Sequence, residues 1–292
     1  MILITGASGR VGRRTAALLA ASPAASGQRL RLMTRDLERA PKLEGAETVR
    51  GDFADPATLR TAFAGVTTAL IVSGSGEPGA RAALHRNAFE AAARANVHHV
   101  VYLSLQGSSP RSKFPYSRDH YVSEQYLMET GLMETGLPHT ILRNAFYIDM
   151  FLELFDARRV IRGPAGRNRA AFVSREDCAR AAAATLLAPP CGIHDVTGPE
   201  ALSVADVARR LSALVESPLR YEEESIAAAR ARLAQAGASA EQADLSAGWF
   251  EAIAAGELAH VSDAIERFTG RQPLSLEAYF ALFPELLLPL RN

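Results

Sequence analysis

The chain opens on a short apolar run that is followed at once by closely spaced glycines. Residues 1–5 read Met-Ile-Leu-Ile-Thr, and residues 6–12 read Gly-Ala-Ser-Gly-Arg-Val-Gly. A brief apolar run rich in β-branched residues is typical of a buried strand. After the glycines, apolar and small side chains recur at helical spacing, at Val11, Thr15, Leu18 and Leu19. The sequence therefore predicts a strand, a tight turn and a helix within its first 22 residues.

This strand-and-helix unit repeats along the first half of the chain. Further strands are predicted at residues 30–34, 47–50, 67–72, 100–105, 140–143 and 193–197. Helices are predicted between them, one of them capped by Asp55 with Pro56 in its first turn. Parallel strands joined through helices require right-handed crossovers, so both faces of the sheet are covered. The sequence predicts an α/β fold with a doubly wound parallel sheet, the Rossmann fold.

Beyond about residue 144 the alternation stops. The arginine-rich stretch 158–169 predicts an irregular connection, and the remaining patterns predict helices. Those helices are expected over 203–216, 225–236, 240–256 and 258–268. We expect a Rossmann domain at 1–150 and a smaller, mainly helical lobe at 151–292, of which about 171–198 returns to the sheet. Ligands of such sheets bind at the carboxyl ends of the strands, so the substrate site is expected between sheet and lobe.

Composition excludes several classes of protein. The 292 residues carry 32 basic and 32 acidic side chains, so electrostatics favour neither a nucleic-acid nor an anionic-membrane partner. No apolar run approaches the ~18 residues of a membrane span, and the first strand leaves no room for a secretory signal. Cys178 and Cys191 are the only cysteines, too few for a disulfide framework or a cysteine zinc site. We expect a cytoplasmic protein, monomeric or homodimeric, that acts on a small molecule without a metal.

The three glycines of the turn favour nucleotide binding. Gly6, Gly9 and Gly12 are spaced G-x-x-G-x-x-G, directly after a strand and at the start of a helix. A turn of this kind needs positive φ, and a pyrophosphate reaches the helix N-terminus only where no Cβ intervenes. The alternative is a glycine-rich turn that binds nothing.

The end of the second strand indicates which nucleotide. NAD sites usually place an acid here to hold the ribose hydroxyls, but this strand ends in Thr34-Arg35-Asp36. The fork of Arg35 suits a 2′-phosphate, and Asp36 is expected to cap the short helix that follows. The alternative is that Arg35 is a solvated surface residue. We expect NADP(H) in preference to NAD(H), which stays possible.

Two further strand ends carry candidate contacts to the cofactor. Asp52 and Phe53 follow the third strand, where a carboxylate and a ring could flank the adenine. The alternative is that Asp52 only closes a turn. Ser73 and Gly74 follow the fourth strand and would let the cofactor approach closely, although such a pair is also an ordinary turn.

The chain lacks the usual proton donor of short-chain dehydrogenases. That group is a tyrosine followed four residues later by a lysine. Lys42 and Lys113 are the only lysines, and Glu38 and Ser109 stand four residues before them. The Tyr-x-x-x-Lys dyad is therefore absent, and Tyr116 is followed at that spacing by a histidine, His120.

Several segments together resemble a known family. They are T-G-A-S-G-R-V-G at 5–12, T-R-D at 34–36, G-D-F-A-D at 51–55, H-R-N at 85–87, H-x-x-x-E at 120–124, I-L-R-N-A-F-Y at 141–147 and T-G-P-E-A-L-S at 197–203. The chain resembles the NmrA-like atypical short-chain dehydrogenases over nearly all its length. Within that family it is most similar to the type-2 NAD(P)H:quinone oxidoreductases and the triphenylmethane reductases. A repeat, Met-Glu-Thr-Gly-Leu at 128–132 and again at 133–137, has no counterpart in the family pattern.

The resemblance implies a set of cofactor contacts and an activity. The implied and expected contacts are Gly6, Ala7, Ser8, Gly9, Arg10, Val11, Gly12, Arg35, Asp52, Phe53, Ser73, Gly74, Ser104, His120, Asn144 and Phe146. His120 and Tyr147 are the candidate catalytic residues, His120 standing where some relatives carry a lysine near the nicotinamide ribose. Packing roles are the alternative for His120, Phe146 and Tyr147. The expected activity is hydride transfer from NADPH to a quinone or similar planar conjugated acceptor, and the alternative is an NADP(H)-sensing regulatory protein with little turnover.

Overall fold

The computed structural model describes residues 1–74, 76–131 and 137–291. Its strands, in chain order, are β1 (Ile2–Ile4), β2 (Leu30–Thr34), β3 (Ala46–Arg50), β4 (Thr68–Val72), β5 (His99–Leu105), β6 (His139–Asn144), β7 (Phe146–Tyr147), β8 (Val160–Gly163), β9 (Ala170–Val173), β10 (Gly192–Val196), β11 (Ala201–Leu202) and β12 (Arg220–Glu223). Its α-helices are α1 (Arg10–Ala20), α2 (Pro56–Phe63), α3 (Arg81–Arg94), α4 (Pro115–Gly131), α5 (Arg175–Leu186), α6 (Val204–Val215), α7 (Ile226–Gln235), α8 (Ala240–Ala254), α9 (Ala264–Thr269), α10 (Leu276–Leu282) and α11 (Leu288–Arg291). Short 3₁₀ turns cover Pro23–Ala25, Leu37–Arg39, Ile148–Glu153 and Pro284–Leu287.

Seven of the described strands form one parallel sheet. Their order is β10-β6-β5-β4-β1-β2-β3. The chain runs outward from β1 to β3 and then returns to β4, on the other side of β1, so its direction reverses between β1 and β4. Ligands of doubly wound sheets bind at such a reversal, beyond the carboxyl ends of the strands. The α/β doubly wound fold is confirmed, and the carboxyl ends of β1 and β4 are where a site is expected.

The inner strands β1, β4 and β5 are largely apolar on both faces because helices cover both. In β1, Ile2 and Ile4 point into a core shared with α1 and α5, whereas Leu3 points into the opposite core, beneath α2 and α3. Successive side chains of a strand point to opposite faces, so a sheet covered twice needs apolar residues at every position. This explains the continuous apolar run with which the sequence opens.

Two small sheets lie outside the central one, beside the mainly helical C-terminal region. β11, β9 and β7 form one, and β8 pairs with β12 in parallel. β8 lies inside 158–169, so the expectation of an irregular connection there is wrong over Val160–Gly163. The helix expected over 258–268 is confined to α9. Residues 258–260 lie outside it, and two of their carbonyl groups accept tertiary hydrogen bonds, Leu258 from Ala171 N–H and His260 from Gln106 Nε2.

The structure describes the five-residue repeat only in part. The first residues of the five-residue repeat, up to Gly131, lie at the end of α4, and residues 132–136 lie outside the described part of the chain. Among the described residues, no helix is both long and apolar enough to cross a membrane.

Candidate functional site

The glycine turn between β1 and α1 leaves the start of the helix open. Gly6 adopts a positive φ of 58°, which reverses the chain without a Cβ penalty. Gly9 precedes the helix and offers no side chain to cap it, and the first turn contains no acidic residue. The first N–H groups of α1 therefore lack side-chain acceptors, and the positive end of the helix dipole is available to an anion.

A cleft of about 270 Å³ lies at the carboxyl ends of β1 to β4. It is lined by Gly6, Ser8, Gly9, Met33, Thr34, Arg35, Gly51, Asp52, Phe53, Val72, Ser73, Gly74 and Leu84. Eight of these were expected from the sequence to contact a cofactor: Gly6, Ser8, Gly9, Arg35, Asp52, Phe53, Ser73 and Gly74. The fold therefore brings the ends of four separate strands together around the glycine turn.

The other expected contacts do not line this cleft. Ala7 and Val11 are buried beneath the turn. Gly12 faces the turn that follows β1, where a Cβ would lie 2.5 Å from the carbonyl oxygen of Gly6. Arg10, on the first turn of α1, extends to the carboxylate of Asp149 at 2.7 Å. Ser104, His120, Asn144 and Phe146 are all buried farther along the sheet.

Arg35 is an exposed cation at one end of the cleft. No hydrogen bond or ion pair joins its guanidinium to any residue in the described part of the chain. Its neighbour Asp36 accepts a hydrogen bond from Glu38 N–H at 3.0 Å and caps the short helix there, as expected. The guanidinium of Arg35 is therefore available for a ligand. Asp52 both lines the cleft and accepts from Ala54 N–H, so its turn-closing role is present as well.

His120 lies inside a buried polar network between β5 and α4. Its Nδ1 is 2.9 Å from the Tyr102 hydroxyl and 3.3 Å from Ser104 Oγ. The Ser104 hydroxyl donates to Glu124, and Arg143 donates to both oxygens of that carboxylate. Burial, aided by nearby positive charge, holds the pKa of His120 well below its usual range. The ring, which is 3% exposed, is therefore neutral at physiological pH.

The loop after β4 is fastened to this network at Gly74. The Gly74 N–H donates to His85 Nε2 at 3.0 Å, and its carbonyl accepts from Arg81 Nε at 2.8 Å. Because Nε2 of His85 accepts, its Nδ1 carries the proton and faces Ser123 Oγ at 2.8 Å. Burial and the charge of Arg81 lower the pKa of His85 to about 3. A neutral histidine and a charged arginine thus fix the peptide that borders the cleft.

The rest of the loop is held by the first turns of α4. The carboxylate of Asp119 accepts from Gly79 N–H at 2.9 and 3.1 Å. The Tyr116 hydroxyl donates to the carbonyl of Gly76 at 3.2 Å. These contacts tie the loop to α4 at two points beyond Gly74.

Tyr147 belongs to a second polar cluster, beside the start of α1. Its hydroxyl accepts from Asn144 Nδ2 at 3.3 Å, and the guanidinium of Arg175 stacks over its ring at 4.1 Å. Arg175 also pairs with Asp149, the buried carboxylate that Arg10 contacts. Burial raises the pKa of Tyr147. The cluster joins the glycine-turn helix to the end of β6 through one shared carboxylate.

Phe146 lies in the aromatic core of the lobe. Its ring packs against Phe114 and Trp249 with centroid separations of 5.3 and 5.2 Å, both edge-to-face. Only 6% of the side chain is exposed. The structure therefore gives Phe146 the packing position that was the alternative for this residue.

Comparisons with known proteins identify the family. Residues 6–189 match the family model described as NAD(P)H-binding. The chain belongs to the NAD(P)H-binding family. An NAD(P)H azoreductase of Xenophilus azovorans is 28% identical over 290 residues, which cover 96% of both proteins. An NADPH-dependent quinone oxidoreductase of Escherichia coli, solved with NADPH, is 28% identical with a TM-score of 0.86, and the match covers 97% of this chain and 100% of that one.

A third relative widens the range of acceptors in the family. The triphenylmethane reductase of Citrobacter sp., solved with NADP(H), is 26% identical with a TM-score of 0.83, and covers 97% of this chain and 99% of that one. The resemblance to quinone oxidoreductases and triphenylmethane reductases is confirmed, and the chain stands among the NAD(P)H-dependent oxidoreductases. NAD(P)H is its cofactor.

The residues around the cleft fit this cofactor. The open start of α1 suits a pyrophosphate, and the backbone is bare there because a Cβ on Gly6 would lie 3.1 Å from Cβ of Val72. Arg35 supplies a cation with no partner among the described residues. Phe53 and Leu84 supply apolar walls.

Sequence reasoning missed several residues of the site. Met33, Thr34, Gly51, Val72 and Leu84 line the cleft but carry no chemical signature, since they are strand ends and a helix-face leucine. The position of Val72 and Thr34 at predicted strand ends was the signal that could have found them. Arg81 was missed because a single arginine stands out poorly in a chain with 32 basic residues, nearly all arginines.

Proposed function

We propose that this protein is an NADPH-dependent reductase that transfers hydride to a quinone or a similar planar conjugated acceptor. The observation that carries the proposal is the cleft itself, which is lined both by the open helix start at Gly9 and by Arg35, a cation without a partner among the described residues. The relatives that act on quinones and dyes support the choice of acceptor. NADPH, when bound, supplies the hydride.

The division of labour within the chain follows from the topology. We propose that residues 1–150 hold the cofactor and that 151–292 cover the acceptor side, with β10 returning to the sheet. The glycine turn and the start of α1 would hold the pyrophosphate, and Arg35 the 2′-phosphate. Asp52 and Phe53 would flank the adenine.

The absence of the tyrosine–lysine dyad favours an acceptor whose reduced form does not need a placed proton donor. Hydride addition to a ketone produces a strongly basic alkoxide, for which a placed acid helps by ~10²–10⁴. Hydride addition to a quinone produces a weakly basic oxyanion that water can protonate. A site without the tyrosine–lysine dyad is therefore better matched to a quinone, and positioning and exclusion of water supply the rest.

The catalytic roles of His120 and Tyr147 stay predictions. Both lie in buried hydrogen-bonded clusters, and neither is poised to release a proton near neutral pH because burial disfavours their charged forms. Their contribution would be to orient neighbouring groups or to donate a neutral hydrogen bond.

Turnover is the first test of the proposal. We expect the purified protein to oxidise NADPH in the presence of para-quinones, measured as loss of the near-ultraviolet absorbance of the reduced nicotinamide. The variant Gly9→Asp places a carboxylate at the open start of α1, so it should bind NADPH weakly and lose this activity. Saturable NADPH binding without oxidation by any quinone or dye would contradict the reductase proposal and favour the NADP(H)-sensing alternative.

Arg35→Ala tests the choice of coenzyme. A charge-assisted hydrogen bond to a phosphate contributes about 1.5–3 kcal/mol, so the Kd for NADPH should rise by roughly 10–100-fold. The Kd for NADH should stay unchanged, because NADH has no 2′-phosphate. Arg29→Ala, at the opposite end of β2, is the matched control and should leave both values unaltered. Equal weakening of both coenzymes, or no change for NADPH, would show that Arg35 does not read the phosphate.

A further inference from the structure

Arg81 is a buried cation without an ionic partner. Its side chain lies at the start of α3 and is 6% exposed. Nε donates to the carbonyl of Gly74, and Nη2 lies 3.3 Å from His120 Nε2. Nη1 is buried and has no hydrogen-bond partner among the described residues. An unpaired buried charge is costly, so its position beside a ligand cleft points to a ligand that satisfies it.

The residues around Arg81 leave its charge largely unopposed. Among the described residues, no carboxylate lies within ion-pairing distance, 4.0 Å, of its guanidinium. Asp119 interacts electrostatically with Arg81 from farther away, but both of its carboxylate oxygens accept hydrogen bonds from Gly79 N–H. Glu124 is engaged by Arg143. His85 and His120 are neutral, so they add no positive charge and remove none.

Arg81 also lies next to both Tyr116 and His120. These two residues have the spacing that tyrosine and lysine have in ordinary short-chain dehydrogenases. His120 cannot supply the cation, but the guanidinium of Arg81 lies over the Tyr116 ring, 4.2 Å from its centroid, and against His120. α3, the helix next to α4, thus places a positive charge beside position 120, where α4 carries a neutral histidine.

We propose that Arg81 determines acceptor specificity by charge, favouring neutral carbonyl acceptors that become oxyanions over acceptors that are cations. The inference rests on the proposed reductase function. A neutral para-quinone that takes up a hydride, with NADPH oxidised to NADP⁺, gains one bond to hydrogen and one negative charge on oxygen. Water then protonates that oxygen, which gives the hydroquinone and leaves hydroxide. A cationic triphenylmethane dye takes the same hydride at its central carbon and becomes neutral.

The two acceptors interact oppositely with a fixed positive charge. Arg81 attracts the negative charge that develops on the quinone oxygen, so it stabilises the transition state more than the ground state. It repels the cationic dye before reaction. The position of Arg81, one hydrogen bond from cleft-lining Gly74, puts the charge at the border of the site.

The experiment compares two substitutions at this position with the unsubstituted protein. Arg81→Gln removes the charge but keeps a donor for the Gly74 carbonyl, and Arg81→Lys keeps the charge. Arg94→Gln, an exposed arginine at the end of the same helix, is the matched control. For each protein, kcat/KM is measured with a neutral para-quinone and with a cationic triphenylmethane dye, together with the Kd for NADPH.

We expect Arg81→Gln to lower kcat/KM for the quinone by on the order of 100-fold, with kcat/KM for the dye at or above the unsubstituted value. Arg81→Lys should retain the preference for the quinone, and Arg94→Gln should change neither value. Equal losses for both acceptors, or a loss that follows a weaker NADPH Kd, would overturn the inference and leave Arg81 as a support for the loop.

A measurement on the unsubstituted protein keeps the inference testable if the variants do not fold. Its kcat/KM for the quinone should exceed that for the cationic dye by about 10-fold or more, and a ratio of one or below would refute the charge selection. Failure to oxidise NADPH with either acceptor would instead refute the reductase function itself, so the two failures are distinguishable.

Discussion

Replacing Gly12 by alanine should destabilise the fold and abolish NADPH binding together. A Cβ at this position would lie 2.5 Å from the carbonyl oxygen of Gly6, 3.0 Å from its carbonyl carbon and 3.1 Å from the carbonyl oxygen of Thr5. All three atoms belong to the backbone, so no side chain can move aside. Overpacking of this severity costs about 3 kcal/mol, because α1 must separate from the turn at Thr5 and Gly6. Urea unfolding would measure the loss of stability, and calorimetry the loss of NADPH binding.

Gly45→Ala is the matched control for this substitution. Gly45 has a positive φ of 73°, but no atom lies within 4 Å of the position that its Cβ would take. Alanine there should cost about 1 kcal/mol through backbone strain alone and leave the NADPH Kd unaltered. If Gly12→Ala unfolds at the same urea concentration as the natural protein and binds NADPH normally, the close packing of α1 on β1 does not control the turn.

Acidification from pH 7 to pH 5 should remove much of the folding stability. Burial lowers the pKa of His85 to about 3 and that of His99 to about 4, and it also lowers the pKa of His120. An unfolded histidine takes up a proton near pH 6.5, so below that pH the unfolded chain binds more protons than the folded one. Each such histidine then costs about 1.4 kcal/mol per pH unit.

His85 and His99 together would cost about 4 kcal/mol at pH 5, a large share of the stability of a typical domain, and His120 acts in the same direction. Their contribution is fully present above pH 6.5 and is lost as the pH falls toward the folded-state values. The free energy of unfolding, measured in urea at several pH values, tests this. His99→Gln, far from the cleft, should reduce the slope by up to about 1.4 kcal/mol per pH unit, and His98→Gln, exposed beside it, is the matched control. A stability that is flat between pH 7 and pH 5 would contradict the prediction.

Periodicity predicted the central sheet because its inner strands are covered on both faces. The bounds of β2 agree with the sequence pattern, and those of β4 to β6 differ by a residue at one end or both. The pattern was less informative where pairing is tertiary. β8 lies among arginines, and its ladder is completed by β12, which is about 60 residues farther along the chain. The local sequence around β8 does not predict a partner strand so far along the chain.

The residues of the candidate site likewise include some that the sequence predicts and some that depend on tertiary packing. Residues at the ends of predicted strands, such as Arg35 and Asp52, could be assigned because parallel strands end at one edge of a sheet. Arg81 and His85 could not be, because their roles depend on how α3 packs against α4. Phe146 was expected to contact the cofactor because it follows the sixth predicted strand, but its ring packs against Phe114 and Trp249, contacts that depend on the tertiary structure.

The glycines of the turn face two different neighbours, and this bears on how such motifs should be interpreted in other chains. Gly6 and Gly9 line the cleft, whereas Gly12 touches only the backbone of the preceding strand and turn. A descendant that no longer used a dinucleotide would be released from the constraint at Gly9 but would still need Gly12 to fold. Retention of the third glycine is therefore evidence of ancestry, and loss of the second is the better marker of abandoned coenzyme use.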